Sequence, residues 1–125
     1  MTLSLLVAAL LGAADLPAPL TIDFDGDRRP DRVVAENGWL VGYRAKAPAK
    51  PIRITQIAPD EDLFVEPIAA GEYTTACARG AGDVKDCTVK RVRFARPVVG
   101  FGTREASLFA AQWKRGRFEV VALSD

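Results

Sequence analysis

The 125-residue chain contains no histidine. That absence removes Ser/His/Asp and Cys/His nucleophilic catalysis, imidazole-ligated zinc and the usual side-chain switch near neutral pH. An excess of one charge is also missing: seventeen Lys and Arg against sixteen Asp and Glu leave a net charge of +1. No global field therefore draws in nucleic acid or an anionic membrane. No apolar run approaches the roughly 20 residues of a spanning helix, no segment recurs as a repeat, and cysteine is limited to two residues. What is present is a globular balance, 49% apolar and 26% charged, in a chain long enough for one core and too short for two.

The longest apolar run, residues 3 to 14, carries no charge and ends in Gly12-Ala13-Ala14. It has the length of a signal-peptide core and a small-residue cleavage box, although no Lys or Arg precedes it. The expectation is a signal peptide over residues 1–14 and one mature domain over 15–125, periplasmic or secreted, with no stable membrane insertion after cleavage. A buried first helix and an uncleaved membrane anchor are the competing readings. Cys77 and Cys87 enclose nine residues rich in glycine and polar groups, a loop that closes readily into a disulfide worth about 3 kcal/mol by chain entropy. Two free thiols would fit a reducing compartment instead, and a metal pair lacks the further ligands zinc needs.

From residue 30 onward, short β-forming segments alternate with turn residues, which predicts a mainly β fold: a small antiparallel sheet, sandwich or barrel with at most short helices. The clearest hairpin joins Arg32–Glu36 to Trp39–Arg44 through Asn37-Gly38, two residues that tolerate the positive φ of a type I′ turn. A loop is expected over 45–51, a strand from Ile52 to Ile57, a turn or helix start over 60–67, and a turn at Gly100-Phe101-Gly102. Alternation over 88–94 places Lys90, Val92 and Phe94 on one face and Val89, Arg91 and Arg93 on the other, one half-buried strand. The segments 107–113 and 117–123 should form a closing hairpin around Lys114-Arg115-Gly116, with Phe109, Trp113, Phe118 and Val120 in the core. Trp39, Tyr43, Phe94 and Phe101 are also assigned to the core, as a domain this small requires.

The one chemically suggestive segment is Asp23-Phe24-Asp25-Gly26-Asp27-Arg28-Arg29-Pro30-Asp31, with carboxylates at relative positions 1, 3, 5 and 9. Carboxylates two residues apart on a tight loop converge on one point, and a hard Ca²⁺ ion takes such a ring of oxygens. Position 12 is Val34 and the flanks are β-forming, so the loop is not an EF-hand. Asp-x-Asp-Gly-Asp followed by a strand and a tight hairpin resembles the calcium loop of FG-GAP and VCBS-type repeats. That resemblance, over about residues 21 to 44, implies Asp23, Asp25, Asp27 and Asp31 as side-chain ligands and the carbonyl of Arg29 as a further one. Arg28 stands where such repeats carry a second glycine, and a single copy does not make a propeller. The competing reading is a metal-free turn in which the aspartates accept backbone N–H bonds and pair with the neighbouring arginines. The last third, through Gly71-Glu72-Tyr73, the two cysteines and Ser124-Asp125, is similar to small exported proteobacterial proteins.

Lys90, Arg91, Arg93 and Arg96 are expected on a solvated face, so nucleic acid is not expected as a partner. Asp60, Glu61, Asp62 and Glu66 read as a polar surface turn. The functional expectation is an exported non-catalytic module with one structural calcium, binding an unknown protein or envelope component. The alternatives are a small hydrolase built on paired carboxylates and a metal-free structural protein of the envelope.

Overall fold

Asn37 and Gly38 take φ of 51° and 79°, as a type I′ turn requires, and the strands they join pair in register from Arg32–Tyr43 to Glu36–Trp39. The computed structural model describes residues 16–58, 62–80, 87–104 and 107–124; the expected signal peptide lies outside them. Ten strands follow one another: β1 (Leu20–Ile22), β2 (Asp31–Glu36), β3 (Trp39–Arg44), β4 (Ala47–Gln56), β5 (Leu63–Ile68), β6 (Gly71–Thr74), β7 (Arg91–Phe94), β8 (Val98–Thr103), β9 (Leu108–Lys114) and β10 (Arg117–Ser124). One 3-10 turn at Cys77–Arg79 is the only helical piece among the described residues. No described helix is long and apolar enough to cross a membrane.

The strands form two antiparallel four-stranded sheets, in the orders β1-β2-β3-β4 and β10-β9-β8-β5, and a separate β6-β7 hairpin. The sheets stack with β1 beside β5 and β4 beside β10. Val33, Ala35 and Leu40 from the first sheet meet Val99, Phe101 and Ala111 from the second, with Phe24 filling one end. The opposite face of the second sheet is covered as well: Val98, Ala110 and Leu123 pack with Phe94, Tyr73 and Val92 of the β6-β7 hairpin. The second sheet is thus the middle of three layers.

That burial explains why 100–102 is strand and not the expected turn. Both faces of β8 are covered, so it reads as a continuous apolar run without alternation. Its glycines mark close approach: a Cβ on Gly100 would stand 2.9 Å from the Glu66 carbonyl and 2.7 Å from the Ile68 side chain.

The expected loop over 45–51 is also strand, since β4 begins at Ala47. Pro48 and Pro51 are tolerated because β4 is an edge strand, and irregular pairing between Gly42–Ile52 and Arg44–Ala47 absorbs the extra residues. The turn or helix start expected before Pro67 is replaced by β5, another edge strand, in which Pro67 pairs opposite Val99. Val120 shares a register pair with the buried Ala111, but on the outer strand β10 it stays 44% exposed and outside the core. Phe109, Trp113 and Phe118 pack against the core as expected, whereas Trp39 and Tyr43 lie on the outer face of the first sheet.

Candidate metal centre

The acidic segment connects β1 to β2 and is anchored by the one apolar side chain within it. Phe24 is 2% exposed, with its ring 4.8 Å from that of Phe118 and 5.6 Å from that of Trp113. Gly42 provides the space, since a Cβ there would meet both Phe118 and Phe24. With Phe24 pointing inward, the alternating residues Asp23 and Asp25 are turned the other way.

Asp31, the first residue of β2, is 1% exposed and holds the loop closed. Its Oδ2 accepts the Phe24 N–H at 3.0 Å and the Asp25 N–H at 3.4 Å, while Oδ1 accepts the Ala45 N–H at 2.8 Å from the β3-β4 turn. Asp23 accepts from the Gly26 and Arg28 N–H groups, each at 2.9 Å. Asp25 Oδ1 accepts the Asp27 N–H at 3.3 Å, and Asp27 Oδ1 accepts the Arg29 N–H at 2.9 Å. The loop therefore satisfies its backbone donors with carboxylate oxygens, the local chemistry that favours Asp in turns.

Two oxygens are left over. Asp25 Oδ2 and Asp27 Oδ2 are buried and accept no hydrogen bond. The nearest cation to Asp25 Oδ2 is the Lys46 ammonium at 3.9 Å, itself half exposed, while the Asp25 side chain is only 1% exposed. Each of Asp23, Asp25, Asp27 and Asp31 offers an oxygen, and these four atoms lie within 4.8 Å of one another. Burial above all, with the charge of Asp31 and the neighbouring Asp23 and Asp27 carboxyls adding to it, raises the Asp25 pKa to about 6. Asp27 is lowered, chiefly by the Arg29 N–H it accepts.

No protein-family model, curated protein or solved structure matches the chain.

All four sequence-selected aspartates are brought together. The donor set is entirely oxygen, which fits a hard divalent cation and does not fit a soft one. Arg28, within the loop, takes the left-handed conformation with φ of 69°. Arg96 was placed on a solvated basic face by its sequence context, yet it reaches across from the β7-β8 connection. Its Nε donates to the Phe24 carbonyl at 3.3 Å, and its guanidinium lies so close that a Cβ on Gly26 would stand 2.9 Å from Cζ. Glycine at 26 thus serves both the turn, at φ 77°, and the approach of Arg96. Nothing local in the sequence signals a contact spanning 72 positions.

Cys77 and Cys87 are disulfide-bonded, with Cα atoms 5.6 Å apart. Of the other acids considered, Asp60 and Glu61 lie outside the described residues. Asp62 and Glu66 are exposed, and Asp62 faces Arg104 at 3.7 Å.

Proposed function

We propose that the chain is an exported, non-catalytic β module in which one calcium ion, held by Asp23, Asp25, Asp27 and Asp31 with the Arg29 carbonyl, locks the loop entering the first hairpin. The observation that carries this reading is the pair of buried, unpartnered carboxylate oxygens at Asp25 and Asp27. An unmet buried acceptor costs about 1–3 kcal/mol, and more when charged. A bound divalent cation removes that cost for both at once and relieves the mutual repulsion of four carboxylates. The likeness of the segment to FG-GAP and VCBS-type loops points the same way, and the disulfide fits an oxidising compartment.

A carboxylate hydrolase is disfavoured by access. The raised Asp25 and lowered Asp27 have the contrast of an acid and a base, but a side chain 1% exposed cannot reach a substrate. The enclosed space beside the loop, lined by Phe24, Arg96 and Trp113, is only about 30 Å³.

Thermal unfolding of the oxidised protein tests the proposal. The neighbouring Arg28, Arg29, Arg32 and Lys46 offset part of the loop's charge, so a dissociation constant of the extracellular order, about 10⁻⁴–10⁻³ M, is expected. At about 10 mM calcium this stabilises the fold by roughly 1.4–2.7 kcal/mol, read as a rise of about 5–10 °C relative to chelator. Asp25→Asn with Asp27→Asn should abolish the rise. An equal melting temperature with and without calcium would remove the ion from the account.

A further inference from the structure

Lys46 stands in the β3-β4 turn, whose backbone is fixed on two sides. Arg44 pairs with Ala47 across the turn, and the Ala45 N–H donates to Asp31 Oδ1 at 2.8 Å. The Lys46 side chain is half exposed and reaches over the acidic loop, where its ammonium lies 3.9 Å from Asp25 Oδ2. Among the described residues this is the only ion pair made by a carboxylate of the loop. Arg28, Arg29 and Arg32 are exposed, and Arg96 is engaged by the Phe24 carbonyl. Asp27 feels the same ammonium: behind the Arg29 N–H, which chiefly lowers its pKa, the charge of Lys46 adds to the lowering. The positive charge thus acts on both carboxylates whose Oδ2 atoms accept no hydrogen bond. At 3.9 Å from Asp25 Oδ2, however, it stands beyond hydrogen-bond reach and leaves that acceptor unmet.

We propose that Lys46 is a tethered counter-ion which a divalent cation displaces, and that this exchange sets the calcium level at which the loop fills; the inference rests on the calcium reading of the loop. Calcium takes carboxylate oxygens at about 2.3–2.6 Å. An ion on Asp25 Oδ2, with the ammonium kept in place, would set two positive centres within about 6.5 Å of each other. The lysine yields because its head is already half in water and its flexible stem swings outward without moving the turn. A tethered charge is present at high local concentration, so calcium must outcompete it. Binding is therefore weaker than in a loop without the lysine, and the loop fills in millimolar and not in micromolar calcium, as an extracellular site does. Removing the charge has opposite effects on the two states. The protein in chelator loses a counter-ion, whereas the calcium-bound protein loses a repulsion. A lysine with a merely structural role would weaken both.

The test is a calcium titration of the oxidised full chain at pH 7.5, where Asp25 is ionised, and at constant ionic strength. It follows the Gly26 and Arg28 amides and the Lys46 methylene next to the ammonium, with melting in chelator measured alongside. In wild type the Lys46 resonance should shift with the same midpoint as the amides. Lys46→Met, which keeps the stem and removes the charge, should tighten calcium about threefold to fivefold. The same variant should melt about 1–4 °C lower in chelator. Lys46→Arg should keep both values close to wild type, and Lys90→Met, which removes an exposed charge preceding β7, should change neither. The exchange would be overturned, with the calcium site left standing, by a Lys46 resonance that ignores calcium or by binding in Lys46→Met no tighter than wild type. Tighter binding with no loss in chelator, or the same tightening in Lys46→Arg or Lys90→Met, would overturn it equally. A wild-type chain without saturable calcium shifts would overturn both the exchange and the site.

Discussion

Two carboxylate oxygens without a donor, on Asp25 and Asp27, set the requirement of the acidic loop. Without a cation, Asp25 retains its proton up to about pH 6. Its pKa is raised on folding, so the stability it contributes is fully present below its unfolded value near 3.8 and is lost as pH rises through about 6. In chelator, wild type measured against Asp25→Asn should therefore lose stability across that window. Calcium must displace the same proton, so the calcium-induced rise in melting temperature should be larger at pH 7.5 than at pH 5. Equal increments at the two values would mean that Asp25 does not meet the ion. Arg28 makes a second residue-scale case. It occupies left-handed backbone at φ 69°, which costs a non-glycine residue about 1–2 kcal/mol. Arg28→Gly should recover part of that cost, about 1 kcal/mol, as a rise in the denaturation midpoint at unchanged slope. A loss of stability would show that the Arg28 side chain makes a contact worth more than the strain.

At the scale of elements, hairpins closed by local chemistry were legible in the sequence. Asn37-Gly38 and Arg115-Gly116 both adopt the paired positive φ that joins two strands, and alternation placed Val92 and Phe94 inward with Arg91 and Arg93 outward. The misread segments share one physical cause, which is that their strand character comes from neighbours. β4 holds two prolines because it is an edge. β8 lacks alternation because layers cover both its faces. β5 replaces a turn or helix start because β8 supplies a pairing partner. Of the acidic loop, the four aspartates were readable from spacing alone, whereas Arg96 was not. Trp39 and Tyr43 were assigned to the core because aromatics usually belong there; the parity of β3, fixed by Leu40 and Gly42 pointing inward, puts them on the opposite face.

Across the whole molecule, the acidic loop sits where separate parts converge. Phe24 inserts between the two sheets against Trp113 and Phe118, Asp31 ties the loop to the β3-β4 turn through Ala45, and Arg96 ties it to the connection leading into the middle sheet. An ion that fixes this loop therefore stiffens the end of the sandwich at which all three meet. The measurement that tests this most directly is a calcium titration of the uniformly labelled protein followed by amide resonances. Saturable shifts are expected at Gly26, Arg28 and Arg29, whose N–H groups contact the proposed ligands, and at Ala45, with one midpoint of about 10⁻⁴–10⁻³ M. Shifts absent from these amides, or still linear at about ten times the upper end of that range, would contradict a calcium site in the loop.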